Sequence, residues 1–287
     1  QTSPMTHSPD PLLPLLHSSA HCLTLVYDFI PLHYPSTYLS NVAARAEYAA
    51  RLDALKLYAD FVCISEVVRK DLAGILRTSI SAARPVRSEV AWSRGVKVEP
   101  KAERINSSAV SSTLVLATGD EPRKNTFGGL AGIAAATSDQ GQRSVLVLGM
   151  AQQEVRVHHW SIAAAMRPGE AKTLNHLGDG ELIETLRSAA CVVVPSFDEG
   201  LSLPVIEAIA AGTPVVASDI PSHRELIGHG SFLFNPRKPR SISRAIRRTQ
   251  GKARIWKKQY RKLTKHQHED LEDVIASRIT EHVPTNP

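Results

Sequence analysis

The sequence is poor in cysteine, in aromatic residues and in long apolar runs, and each shortage argues against a class of protein. Its three cysteines, Cys22, Cys63 and Cys191, lie far apart in apolar segments. This pattern predicts reduced core thiols in a cytoplasmic protein rather than a disulfide framework or a cysteine metal site. Twelve histidines are scattered without metal-binding spacing. No apolar run approaches the roughly 18–20 residues that a membrane-spanning helix needs.

Apolar strand patterns alternate with helical patterns, which is typical of α/β folds. In the first part of the chain, strands are predicted at 21–30 and 60–65, helices at 48–59 and 66–76, and a loop and linker at 78–108. In the second part, strands are predicted at 113–117, 143–149, 173–178, 191–195, 213–218 and 231–234. The helices between them are predicted at 125–136, 160–166, 179–190 (capped by Asp179), 203–211 and 221–226. Such alternation favours a doubly wound parallel sheet.

The segment 191–218 is the best-defined unit of the second part. A buried strand leads through a loop with Glu199 into a helix with Glu207, which Gly212 ends. The first amides of that helix can bind an anion, and a carboxylate can accept hydrogen bonds from two neighbouring hydroxyls, such as those of a ribose. The same pattern also fits a core β–α–β unit whose glutamates are merely solvated, so two interpretations remain.

The longer phrase PSFDEGLSLPVIEAIAAGTPVVASDIPSHREL, at 195–226, resembles the signature of the family 4 (group 1) retaining glycosyltransferases. In this chain the glutamate pair of that signature is Glu199 and Glu207. The resemblance implies that Glu199 is catalytic, at the reacting sugar, and that the donor is bound by Gly200, Leu201, Ser202, Leu203 and Glu207. Ser202 stands where the family usually has glycine.

A second phrase, TGDEPRKN at 118–125, is similar to the loop with which this family contacts the donor diphosphate. The resemblance implies that Gly119, Arg123 and Lys124 bind the donor. Two cations beside a leaving diphosphate would stabilise the charge that develops on it. A solvated basic pair is the alternative, but cations are mildly disfavoured at the start of a helix, which favours a functional role.

The first part of the chain resembles the same family more loosely. The segments YDFIP, at 27–31, and ADFVCIS, at 59–65, match phrases from the second half of its N-terminal domain, with Tyr27 where the family has histidine. The opening strand and glycine-rich turn of a complete domain have no counterpart before His21. The expected fold is therefore α/β of the GT-B type, with two Rossmann-like doubly wound domains facing a cleft, the first one truncated. The expected domains are 1–108 on the acceptor side, 109–250 for the donor nucleotide, and a basic C-terminal helix at 251–287 that crosses back to the first domain.

The function implied by the resemblance is transfer of a sugar, such as mannose, rhamnose or glucose, from a nucleotide-diphosphate sugar. The acceptor would be a glycan or a lipid-linked glycan, and the configuration would be retained. The sequence contains no D-x-D pair, which fits transfer without a metal or another cofactor. Two alternatives stay open: a sugar-nucleotide epimerase, and a non-catalytic relative that only binds the nucleotide sugar.

The segment 237–265 contains thirteen lysines and arginines and no acidic residue, which more than accounts for the formal net charge of +6. One interpretation is a solvated helix along the second domain. Another is peripheral attachment to an anionic membrane, here the inner face of the cytoplasmic membrane. A nucleic-acid partner is not expected, because no binding motif or aromatic stacking platform accompanies the charge.

Overall fold

The computed structural model describes residues 10–18, 21–79, 87–90, 113–137, 144–150, 153–174, 177–228, 230, 232–249, 256–259, 261 and 276–277. The chain divides into two compact units. The first comprises residues 1–95, 199–201 and 267–287, and the second comprises residues 96–198 and 202–266. Among the described residues, no helix combines the length and the apolar character that crossing a membrane requires.

The first unit contains a three-stranded parallel sheet in the order β1-β2-β3. The central strand β2 is buried at all four positions, as expected of a parallel strand covered by helices. A short 3-10 turn, Asp10–Leu12, comes first. The elements are α1 (Leu13–Leu16), β1 (Leu23–Val26), α2 (Ile30–His33), α3 (Pro35–Tyr38), α4 (Val42–Leu55), β2 (Asp60–Cys63), α5 (Glu66–Ser79) and β3 (Arg87–Val90).

The predicted strand at 21–30 is confirmed but is too long, and the predicted loop and linker at 78–108 is wrong at one place. The strand predicted at 21–30 has only the four residues of β1. Two helical turns, α2 and α3, follow it, and each has proline in its first positions, where the missing N–H is not needed. Strand β3 lies inside the stretch 78–108 that was predicted to be loop and linker. Its sequence RSEV offers no apolar alternation from which a strand could be predicted.

Helix α4 begins six residues earlier than the predicted helix at 48–59. The Asn41 side chain accepts a hydrogen bond from the backbone N–H of Ala44 at 2.9 Å. This N-cap satisfies one of the N–H groups that a helix start leaves without an intrahelical partner. The helix therefore starts at Val42, although Val42 itself is 80% exposed.

The second unit contains a six-stranded, fully parallel sheet in the order β6-β5-β4-β7-β8-β9. Its elements are β4 (Leu114–Ala117), α6 (Thr126–Thr137), β5 (Val145–Leu148), α7 (Glu154–Ala163), β6 (Ala171–Thr173), α8 (Asp179–Ser188), β7 (Cys191–Val194), α9 (Leu203–Ala210), β8 (Val215–Ser218), α10 (Pro221–Ile227), β9 (Leu233–Phe234) and α11 (Pro239–Thr249). This confirms the predicted doubly wound sheet. The strand order reverses between β4 and β7, and such reversals are where ligands bind in α/β folds.

Several boundaries in this unit differ from the prediction. Helix α7 begins six residues before the predicted 160–166, and β6 begins two residues before the predicted 173–178. The exposed side of α7 includes the apolar residues Val155 and Ile162, so its apolar residues do not mark a single face, and β6 has only three residues. Helix α8 is capped by Gly178 rather than Asp179, because the Glu181 carboxylate accepts the Gly178 N–H at 3.0 Å.

The three cysteines are free and buried, as predicted. Burial raises the pKa of the Cys63 thiol to about 12 and that of the Cys191 thiol to about 11. Thiols held in the protonated form are poor nucleophiles and poor metal ligands. They therefore act as core residues.

Helical residues 256–259 bond the part of β8 that has no neighbouring strand on the β9 side. Strand β9 pairs only with the end of β8, and the Gln259 side chain bonds both the N–H and the C=O of Val215, at 3.2 and 2.7 Å. Trp256 donates from Nε1 to the carbonyl of Ile209 in α9 at 2.8 Å. Apart from 256–259, 261 and 276–277, the predicted C-terminal helix at 251–287 lies outside the described residues.

Candidate functional site

The loop after β4 holds three of the predicted donor-binding residues in a fixed conformation. The Thr118 hydroxyl donates to the carbonyl of Lys124 at 3.0 Å, and the Thr126 hydroxyl donates to the carbonyl of Gly119 at 2.8 Å. A 3-10 turn, Pro122–Lys124, lies between these anchors. The loop is therefore preorganised without a ligand, which lowers the entropy that binding must overcome.

Gly119 and Lys124 lie against each other in this loop. A Cβ at position 119 would lie 3.1 Å from Cγ of Lys124. The absence of a side chain at Gly119 thus leaves room for the aliphatic stem of Lys124 and helps to set its direction.

Arg123 connects this loop with the loop that follows β7. Its Nη1 donates to the carbonyl of Asp198 at 3.1 Å, and its own carbonyl accepts the N–H of Phe197 at 2.7 Å. Its Nε donates to the Glu121 carboxylate at 2.8 Å. The two loops on either side of the strand-order reversal are therefore joined through one arginine.

Asn125 is a residue of this site whose role the sequence did not reveal. It adopts the left-handed conformation with φ 54°, which asparagine tolerates better than most residues. Its Nδ2 donates to the carbonyls of Pro195 and Pro236, both at 3.0 Å. These carbonyls follow β7 and β9, so one side-chain amide fixes the Arg123–Lys124 turn to two other loops.

Replacing Asn125 with aspartate is expected to lower the free energy of unfolding by about 1–3 kcal/mol. Aspartate also tolerates the left-handed conformation, but it places a carboxylate against two carbonyl oxygens and provides no N–H. Chemical denaturation measures the change. Asn41→Asp is the matched control, because Asn41 uses only its side-chain oxygen as an acceptor and aspartate caps helices equally well. Equal losses for the two variants would contradict the role given to Asn125.

A cavity of about 330 Å³ opens beside the Thr118 end of this loop, within the size range of small-molecule sites. It lies at the carboxyl ends of β4 and β5 and against helices α8 and α9. Its walls are mostly aliphatic, with Thr118 and Glu207 as the polar side chains. The lining residues are Ala117, Thr118, Leu148, Gly149, Leu174, Leu177, Leu182, Leu186, Pro204 and Glu207. An apolar slot with a few polar groups suits a flat ring joined to a polar group.

Most of the residues that line the cavity were not predicted from the sequence. Gly149 is required there for two reasons: its φ is +77°, and a Cβ would lie 2.1 Å from the carbonyl oxygen of Thr118. It brings the loop after β5 against the loop after β4. Its position directly after an apolar strand was the available signal, since residues that follow parallel strands line the ligand crevice.

Glu207 is the predicted donor-binding residue that lines the cavity. Burial raises the pKa of its carboxyl, and the negative charge of Asp179 raises it further. A carboxylate held in a partly apolar wall gains from ligand hydroxyls that donate to it.

The remaining predicted residues lie on the segment between β7 and α9. Glu199, Gly200 and Leu201 belong to the loop, Ser202 is the N-cap of α9, and Leu203 is its first residue. The Ser202 hydroxyl makes no capping bond and has no hydrogen-bond partner in the described part of the chain. The described lining of the cavity includes none of these five residues. The predicted helix stop is confirmed, because Gly212 has φ +86° just after α9.

Comparison with known proteins gives concordant matches. The family model described as "Glycosyl transferases group 1" matches residues 122–265, half of the chain. O-antigen chain mannosyltransferase B of Escherichia coli is 32% identical over 127 residues, which cover 44% of this chain and 33% of that protein. Serotype-specific mannosyltransferase WbdA of Escherichia coli is 26% identical over 249 residues, covering 84% of this chain and 30% of that protein. The chain thus spans about a third of the length of these relatives.

Among solved structures, a UDP-forming trehalose-phosphate synthase from Burkholderia xenovorans matches with a TM-score of 0.69. The match covers 94% of this chain and 70% of that one, at 12% sequence identity. At this identity the likeness shows the fold alone. Together with the parallel sheets, it confirms the predicted GT-B fold.

Proposed function

The chain belongs to the group 1 glycosyl transferases, and we propose that it transfers a sugar from a nucleoside-diphosphate donor to a glycan or lipid-linked acceptor. The observation that supports this best is the cavity at the carboxyl ends of β4 and β5. Thr118 joins its wall to the loop that bears Arg123 and Lys124, and Glu207 provides a carboxylate in the wall.

Each part of a nucleoside diphosphate has a counterpart in this arrangement. In the proposal, the base lies between the aliphatic walls and the ribose hydroxyls donate to Glu207. Arg123 and Lys124 contact the diphosphate. Because these cations can stabilise the charge of the leaving group, we propose transfer that does not depend on a metal ion.

The identity of the sugar is proposed from the relatives. Two of them are named mannosyltransferases, so mannose is the sugar we propose, with rhamnose and glucose as the alternatives. From the resemblance to family 4, we propose that Glu199 lies at the sugar and that the configuration is retained. The three free, buried cysteines support a cytoplasmic location, where thiols stay reduced.

A turnover assay tests this function. The chain is incubated with GDP-mannose, UDP-glucose or dTDP-rhamnose, with and without a mannose-terminated oligosaccharide, in the presence of EDTA. Extension of the oligosaccharide with the donor's anomeric configuration is the expected result, and proton NMR of the product shows it. Release of a free epimerised sugar without acceptor would identify an epimerase instead. Donor binding without any product would identify a non-catalytic relative.

Nucleotide affinity is expected to weaken as the pH falls through the pKa of Glu207. Two ribose hydroxyls can donate to the ionised carboxylate, whereas the protonated acid offers less acceptor capacity. Since burial raises this pKa, the loss should begin above the ordinary range of a glutamate and reach at most about tenfold per pH unit. Isothermal titration calorimetry at a series of pH values measures it. Titration of the phosphates themselves cancels when wild type is compared with Glu207→Gln. Identical pH profiles for the two proteins would contradict the prediction.

The same pKa shift predicts an effect on stability without ligand. A carboxyl whose pKa is raised by folding opposes folding when it is ionised, and this cost is absent below the pKa of the unfolded chain. Glu207→Gln should therefore stabilise the unliganded protein at neutral pH and have little effect in acid. Thermal melts of Glu207→Gln and wild type, at neutral and at acidic pH, measure the difference in melting temperature.

A further inference from the structure

Helix α11 has one buried apolar face and one exposed face that bears arginines. Ile242, Ala245 and Ile246 are buried, and a Cβ at Gly132 of α6 would lie 2.4 Å from Cβ of Ile242, so the two helices are in close contact. The exposed residues of α11 beyond its first are Arg240, Arg244, Arg247 and Arg248. From Arg240 to Arg248 they form a strip about 12 Å long.

In other helices of the same chain, exposed or partly exposed arginines pair with glutamates of the same helix. Arg51 pairs with Glu47 in α4, Arg69 pairs with Glu66 in α5, and Arg187 pairs with Glu184 in α8. The surface of each of these helices therefore carries both positive and negative side chains, as is normal for solvated helices. Helix α11 contains no acidic residue, and no carboxylate in the described part of the chain pairs with Arg240, Arg244 or Arg248.

The arginines of this strip repel one another, because like charges three or four residues apart destabilise a helix. The helix dipole disfavours Arg240 in the first turn and favours Arg247 and Arg248 in the last turn, so it does not offset the repulsion at the start of the helix. This charge repulsion distinguishes the exposed face of α11 from the exposed face of an ordinary solvated helix. A surface of opposite charge would remove the repulsion.

We propose that the exposed arginines of α11, with the exposed Lys238 that directly precedes the helix, form a docking surface for an anionic lipid membrane. A lipid headgroup layer presents many phosphates in a plane, and guanidinium groups bind phosphate in a bidentate way. Three nearby aromatic residues, Phe232, Phe234 and Trp256, are buried, so they cannot stack on the bases of a single-stranded nucleic acid.

Vesicle co-sedimentation of the 287-residue chain tests the proposal. The chain is expected to bind vesicles of phosphatidylcholine with phosphatidylglycerol and not to bind vesicles of phosphatidylcholine alone. Salt is expected to release the bound chain. The triple variant Arg240→Gln, Arg244→Gln, Arg248→Gln should bind about a hundredfold more weakly, the effect of three cations near an anionic surface. These side chains are exposed, so the fold should be kept, which circular dichroism checks.

The matched control removes the same net charge elsewhere. The triple variant Lys70→Gln, Arg167→Gln, Lys172→Gln changes exposed residues outside α11 and should bind the anionic vesicles nearly as well as wild type. An equal loss in both triple variants would overturn the proposal in favour of net charge alone. Tighter binding of duplex DNA or RNA than of vesicles at the same salt concentration would replace the membrane with nucleic acid. Binding to neutral vesicles would also overturn the proposal.

Discussion

Replacing Lys124 with methionine is expected to lower the turnover number by about 10²–10³-fold, the usual cost of losing one group that stabilises transition-state charge. In the proposed reaction, negative charge develops on the leaving nucleoside diphosphate, and Lys124 faces it from the loop after β4. Methionine keeps an aliphatic stem against Gly119, where a Cβ would already lie 3.1 Å from Cγ of Lys124. The substitution therefore removes the charge while preserving the packing.

The measurement is the turnover number at saturating donor. Lys172→Met is the control, because Lys172 is an exposed cation of the same unit, on β6. It should leave turnover unchanged. If Lys124→Met turned over donor as fast as this control, Lys124 would not act on the leaving group and the proposed orientation of the donor would be wrong.

Glu199→Gln and Glu207→Gln are expected to separate catalysis from nucleotide binding. Glu207→Gln loses the charge that accepts ribose hydrogen bonds, worth about 1.5–3 kcal/mol, which corresponds to a Kd about tenfold to a hundredfold higher. Glu199→Gln should leave the Kd of a nucleoside diphosphate nearly unchanged, since this ligand lacks the sugar. Its turnover number should fall about a hundredfold, because the carboxylate is proposed to act at the reacting sugar.

Calorimetry with a nucleoside diphosphate and a turnover assay with the complete donor give the two readouts. Glu184→Gln, at an exposed position of α8, is the control for loss of one carboxylate and should change neither. The opposite pattern, with Glu199→Gln impairing nucleotide binding and Glu207→Gln impairing turnover alone, would reverse the two assignments.

The β7–α9–β8 unit could be predicted from sequence because its signals are local. Proline at the start of α9, Gly212 just after its end and two apolar strands specify the unit within about thirty residues. The role of the loop at 118–125 was predicted from its resemblance to a family phrase. The alternation of elements also predicted the parallel, doubly wound sheet, because parallel neighbouring strands need a crossover connection, which is usually a helix.

The rest of the site depends on contacts between residues far apart in the sequence. The amide of Asn125 reaches carbonyls 70 and 111 positions away, and the cavity wall combines residues from the ends of several strands. No local pattern specifies such pairings. Short polar elements were also missed, as β3 shows, since a four-residue strand without apolar alternation resembles a loop.

The central claim is that the cavity bounded by Thr118 and Glu207 holds the nucleoside of the donor. The most direct test is calorimetric titration of the 287-residue chain with GDP, UDP and dTDP, in wild type and in Leu174→Trp, whose larger side chain would narrow the cavity. Lys172→Trp, on the neighbouring exposed strand position, is the matched control. At least one nucleoside diphosphate is expected to bind to wild type and to the control with one site per chain. Leu174→Trp is expected to weaken this binding while thermal melting shows a folded protein. Undiminished binding to folded Leu174→Trp, or no binding of any of the three to wild type, would contradict it.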